Sequence, residues 1–276
     1  MLKHRVALAL LTPVLGLMFV SSAAAQPKGE FAVFAKCPLT NPNVEACLFS
    51  KTESGEIKIG SAGVPIVSPQ ILQGGLHNLE PVGKEFIDAA NGETFPPTPQ
   101  KVPGGLLGLV KCNEISNIIE RIACELVFEN KVTGVNATTE LVGPVSINEI
   151  YLEIGEGTAL GLPVRVKLEN PLLGSSCYIG SSTEPIDLQL TSGTSGKLVG
   201  SPGKISTKAE GKILVITGNK LVEEGFKAPG ASGCGPLGLL DGLIDKKLGL
   251  PASTGNTAVL NSTIEQANAE FVEESE

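Results

Sequence analysis

The residues that could carry chemistry in this chain are few. The 276-residue sequence has two histidines, His4 and His77. His4 falls in an N-terminal leader, so a Ser-His-acid or Cys-His centre would have to use His77, in GGLHNLE. No GxSxG elbow and no paired cysteine nucleophile accompanies it. His77 therefore reads as a polar loop residue beside Asn78. Carboxylate chemistry has one candidate pair, Asp241 and Asp245, four residues apart in a helical pattern and able to project together as an acid pair. On an exposed helix face the same spacing is only mildly repulsive, by about a few tenths of a kcal/mol, and Lys246 and Lys247 stand beside it. A solvated face is the plainer expectation, so no catalytic residue is assigned.

Metal and cofactor chemistry find less. There is no CxxC or HxxxH spacing for a metal, and the glycine-rich pieces TSGTSGK and GSPGK lack the GxxxxGK[ST] order that cradles phosphate. No metal site or cofactor is expected. Recognition of sugars by aromatic stacking is poorly provided for, since the chain has no Trp and only two tyrosines, Tyr151 and Tyr178.

The six cysteines, Cys37, Cys47, Cys112, Cys124, Cys177 and Cys234, read instead as disulfides. Neighbour pairing is the simplest scheme. It joins Cys37 to Cys47 and Cys112 to Cys124, and leaves Cys177 for Cys234. Those last two sit in similar settings, NPLLGSSCYIGSS (170–182) and APGASGCGPL (228–237), where small residues let two backbones approach. Their bond would close the longest loop of the three. Cys112 and Cys124 carry a geometric difficulty, because 12 residues of continuous helix rise about 18 Å, beyond disulfide reach.

Paired cysteines call for an oxidising compartment, and the first 25 residues provide the route. Lys3 and Arg5 precede an apolar run from Val6 to Val20, followed by Ala23-Ala24-Ala25, the layout of a secretory signal peptide cleaved after Ala25. The run is short and interrupted by Pro13, whereas a membrane span needs about 20 apolar residues. A secreted or cell-envelope location without a membrane span is expected, with Gln26 as the mature start. The formal charge is −8 for the whole chain, and the leader removes two basic residues but no acidic one. An acidic surface argues against nucleic acid and anionic lipid as partners.

The elements that must position these residues are mostly strands. Phe31 to Ser50 reads as two apolar flanks around a Pro and Asn rich turn, closed by Cys37 and Cys47. Ile57 and Ile59, then Val64 to Val67, form short strands, and Gln73-Gly74-Gly75-Leu76 reads as a turn. Glu80 to Gly105, rich in Pro and Gly, is expected to be loop or sheet edge. Ile115, Ile118, Ile119, Ile122 and Leu126 recur at helical spacing and predict a core-facing helix over 113–126. Alternation at Val135 to Leu141 and from Leu162 to Leu168 predicts half-buried strands. Val145 to Ile154 reads as a strand that changes phase at a bulge near Asn148 and Glu149. Ile186 to Leu190, Lys212 to Thr217 and Ala258 to Ile264 add further strands, and Pro236 to Leu248 a second helix. The expected fold class is mainly β, an antiparallel sandwich or barrel with two short helices, supported by disulfides. Residues 26–264 form one domain on this reading, and 265–276, with five Glu among twelve residues, an acidic frayed tail.

The segments NPLLGSSCYIGSS, EGTALGLPVRVKLENP, VTGVNATTEL, APGASGCG and DKKLGLP, in the order they occupy here, resemble a family of exported, functionally uncharacterised proteins of soil actinobacteria. That resemblance implies secretion and brings no catalytic residue with it. The leading functional expectation is a secreted, non-enzymatic protein acting by binding or as an envelope or extracellular structural component. A β-barrel carrying a small apolar molecule is the first alternative, and it requires a cavity near 300 Å³ or above, an order-of-magnitude threshold. A carboxylate-dependent hydrolase is the second.

Overall fold

The computed structural model describes residues 26–79, 83–105, 118, 121 and 134–276. The leader expected over 1–25, the pair Cys112 and Cys124 and, apart from Ile118 and Arg121, the helix expected over 113–126 lie outside the described residues. Among the described residues the strands are, in chain order, β1 (Ala46–Ile59), β2 (Ala62–Pro65), β3 (Gln70–Leu79), β4 (Gly83–Asp88), β5 (Gln100–Lys101), β6 (Asn136–Leu141), β7 (Ser146–Ile147), β8 (Leu160–Glu169), β9 (Tyr178–Ile179), β10 (Ile186–Leu190), β11 (Thr194–Ser195), β12 (Leu198–Val199), β13 (Lys204–Lys208), β14 (Ile213–Glu224), β15 (Ala231–Ser232) and β16 (Thr257–Asn268). The α-helices are α1 (Glu149–Ile154), α2 (Asp241–Leu248) and α3 (Ala269–Glu273).

The first sheet has the order β13-β14-β16-β1-β3-β4, with β2 folded back on β1. In the second the order is β15-β9-β8-β6-β5, and β7 and β10 also pair with β8. Pairing is antiparallel throughout, as the short glycine and serine turns require. Among the described residues neither sheet closes on itself, so the barrel alternative is not realised and the arrangement is sandwich-like. The proline-rich stretch supplies β4 and β5, each at the outer end of its sheet, where a missing ladder donor costs least.

The main core lies between the sheets. On β8, Leu162, Val164, Val166 and Leu168 are buried there while Pro163, Arg165, Lys167 and Glu169 face outward, the alternation the sequence displays. The outward face is satisfied by pairing. The Arg165 guanidinium lies 2.7 Å from Glu140 Oε2 and 4.1 Å above the Tyr178 ring. Thr138 Oγ1 donates to Glu169 Oε2 at 2.8 Å, which with Lys167 holds that carboxyl below its ordinary pKa. On β1 the inward phase switches. Leu48, Ser50 and Thr52 point between the sheets, a register shift between Thr52 and Ser54 follows, and Ile57 and Ile59 then take the inward positions.

A second, smaller core covers the other face of the first sheet. Phe34, from a 3-10 turn over Gly29–Phe34, packs with Cys37, Cys47, Ile213, Ala267 and Val272. The Cys37–Cys47 disulfide fastens that turn to β1. The expectation of a frayed tail from 265 is corrected here. β16 continues to Asn268, α3 follows, and Val272 is completely buried. The first described residues and the C-terminal segment together cover this face, joined by a hydrogen bond from Lys28 Nζ to the Glu276 carbonyl at 2.5 Å.

Three other expectations change. Gln73-Gly74-Gly75-Leu76 is the middle of β3, not a turn. A Cβ on Gly74 would meet the Ile87 carbonyl oxygen at 2.4 Å and the Phe86 ring, so the glycine serves close approach within a sheet. Ile150, Leu152 and Ile154 belong to α1, not to a continued strand. The Asn148 side chain accepts from the Tyr151 N–H at 3.0 Å and caps it. The helix expected over Pro236 to Leu248 breaks after one 3-10 turn, because Leu237 takes a left-handed conformation (φ 56°) and is fully exposed. Only Asp241–Leu248 is α-helical, ended by Gly249.

Candidate functional site

A cleft of about 270 Å³ opens between the two sheets at one end of the sandwich. Its floor comes from the first sheet: Leu48 and Ser50 of β1, Leu72 of β3, Leu214, Ile216 and Leu221 of β14, and Ile264 and Gln266 of β16. These strands present aliphatic side chains there because the alternating inward positions continue beyond the point where the second sheet covers them. The opposite wall is Ile147 of β7 with Ala159 and Leu160 at the start of β8, together with α1. Pro202, Gly203 and Ile205, from β13 and the turn before it, form the rim. Ile205 is 60% exposed, so the cleft reaches solvent beside an uncovered apolar residue.

α1 roofs the cleft and is held by local chemistry. Asn148 caps its first turn, and Ser192 Oγ donates to the Leu152 carbonyl at 2.6 Å near its end. Gly193 lies against Gly155, where a Cβ would come within 1.8 Å of the Gly155 carbonyl oxygen. Leu152, Glu149 and Glu153 face the cleft, whereas Ile150 and Ile154 stand exposed on the outside. Glu149 Oε2 lies 2.5 Å from Lys84 Nζ on β4, an ion pair that ties the roof to the first sheet. Its other oxygen, Oε1, is buried without a hydrogen-bond partner. With Asn148→Ala we expect the amides of the helix to exchange with solvent about fivefold faster, from loss of a cap contributing about 1 kcal/mol. Hydrogen-exchange mass spectrometry over residues 149–155 checks this.

No family model, no curated protein and no solved structure matches the chain. The site is therefore argued from its own geometry.

The residues singled out from sequence fall elsewhere. His77 lies on β3, in a strand and not a loop, with Nδ1 3.4 Å from Glu45 Oε1 but outside hydrogen-bond alignment. Asp241 and Asp245 are neither a free solvated face nor a catalytic pair. Asp241 accepts the Cys234 N–H at 2.7 Å and the Gly233 N–H at 3.2 Å, and Asp245 accepts the Ala231 N–H at 2.6 Å. Both carboxylates fix the loop that carries Cys234. That cysteine is bonded to Cys177, as neighbour pairing expects, and both are completely buried. The two described disulfides fit a non-cytoplasmic protein. Among the described residues no group of His, Cys, Asp or Glu is placed to hold a metal ion, and no helix is long and apolar enough to cross a membrane.

Sequence reasoning missed the cleft residues Glu149, Leu152 and Ile205. Asn148 at the phase change was the one available signal, as an N-cap beside an acidic first turn.

Proposed function

We propose that this is an exported, non-enzymatic binding protein that takes a small aliphatic molecule into the cleft between its sheets. The observation that carries the reading is the cleft itself, lined mainly by aliphatic side chains and open to solvent at Ile205. Its volume of about 270 Å³ lies near the lower bound of small-molecule sites, which suits a ligand of modest size. Its aliphatic wall gives affinity by burial, at about 25 cal/mol per Å² of apolar surface. The leader sequence, the disulfides and the resemblance to exported actinobacterial proteins support the location. The acidic charge favours neither nucleic acid nor anionic lipid.

The absence of tryptophan from the chain makes the test direct. Ile205→Trp places a single indole at the mouth, and titration with 1-octanol should produce a saturable blue shift of its emission. Adding Leu214→Phe, which fills the floor, should weaken that response at least tenfold. An emission spectrum unmoved by octanol would remove the proposal.

A further inference from the structure

The void between the sheets does not end at the cleft. Two smaller voids, of about 20 and about 40 Å³, lie beyond it along the strands. Their walls advance in strand order. On β8, Leu160 lines the cleft, Leu162 and Val164 line the first cavity, and Val166 and Leu168 line the second. β1 follows the same course, from Leu48 and Ser50 through Thr52 to Ile57 and Ile59. Neighbouring voids share side chains. Leu72 and Leu221 stand between the cleft and the first cavity, and Gln70 and Thr139 between the first and the second. Nine residues of strand, from Leu160 to Leu168, span about 26 Å. A row of voids along this length, with lining side chains in common, suits a linear chain better than a ring system.

The roof sets the other end of the ligand. Glu149 and Glu153 both line the cleft, and the cation at Glu149, Lys84, is already paired with it. A carboxylate head would meet like charge there, whereas a hydroxyl could donate to the unpartnered Glu149 Oε1 as the side chain adjusts to it.

We propose that the ligand is a straight-chain amphiphile with an uncharged, hydrogen-bond-donating head, held with its head at Glu149 and its tail between the sheets. This rests on the cleft being a ligand site. The test uses the Ile205→Trp protein with the 1-alkanols from octanol to tetradecanol, and with dodecanoate. We expect the dissociation constant to fall roughly fourfold per added methylene through the whole series. Dodecanoate should bind at least tenfold more weakly than dodecanol. Thr139→Leu, which closes the inner partition, should leave octanol unchanged and remove the advantage of tetradecanol. Should that variant fail to fold, the chain-length series decides alone. Octanol binding with no gain beyond decanol would overturn the linear channel and leave the cleft standing. Equal affinity for dodecanoate and dodecanol would overturn the assignment of the head. No response to any alcohol would overturn the ligand site itself.

Discussion

Replacing Cys177 and Cys234 together by Ala should lower the stability of this protein by about 4 kcal/mol, the larger effect of its two described disulfides. The bond spans 57 residues and ties the segment after β8 to the loop leading into α2. In the chain-entropy account, closing a loop of that length restricts the unfolded state by about 4 kcal/mol, against about 3 for the ten-residue span of Cys37–Cys47. The native structure holds the same region by other means. β15 pairs with β9, the Gly235 N–H donates to the Leu173 carbonyl, and Asp241 and Asp245 accept three amide protons from the loop. The loss should therefore appear mainly as destabilisation of a fold that still forms. For a domain of this size, about 4 kcal/mol corresponds to a drop of roughly 10 °C in the melting temperature. Thermal unfolding of Cys177→Ala/Cys234→Ala beside Cys37→Ala/Cys47→Ala measures the difference. A larger drop for the Cys37–Cys47 variant would contradict the loop-length argument.

How much of this could be read from sequence depends on whether the deciding contact is local. β8 was legible because one face is buried along its whole length, so its alternation is uninterrupted. The two described disulfides were legible because small residues at both cysteines of the long bridge permit close approach. The Gly74-Gly75 pair was misread since a turn glycine and a close-packed strand glycine look alike without the partner, here Ile87 and Val44. α1 has only six residues, too few for a period of 3.6 to separate itself from a period of two. The last residues looked frayed because charge was counted without its placement. Glu274 lies 3.6 Å from Lys212, and the intervening apolar residues Phe271 and Val272 meet the first sheet and its neighbours. The aliphatic lining of the cleft had no sequence signature. Leu48, Leu72, Leu160, Leu214 and Ile264 come together only once the sheets are assembled, and in sequence each is one more inward strand position.

Glu223 should make the stability of the protein fall as pH rises through neutrality, and Glu223→Gln should abolish that fall. The residue lies on β14, is 8% exposed, and accepts the Gln189 N–H of β10 at 2.6 Å, joining the two sheets. Burial pushes its carboxyl from 4.5 up to about 7, the Gln189 amide pulls it partly back, and Asp187 adds to the rise. With the folded pKa above the unfolded one, the native state holds a proton that the unfolded chain has released between those two values. The resulting stabilisation is fully present below about pH 4.5 and is lost as pH climbs through about 7. The interval corresponds to roughly 3 kcal/mol. Glutamine keeps the acceptor for Gln189 and has no charge to desolvate. The variant should match the parent at pH 4.5 and exceed it at pH 8 by up to about 3 kcal/mol, roughly 8 °C in melting temperature. Glu169, whose pKa is lowered first by the Thr138 hydroxyl, acts in the opposite sense, since its contribution is lost as pH falls into the acid range. It is common to both proteins and cancels from their difference. Melting curves of the two proteins at half-unit steps from pH 4.5 to 8 resolve the effect, and parallel profiles would show that Glu223 is ionised at no cost in the folded state.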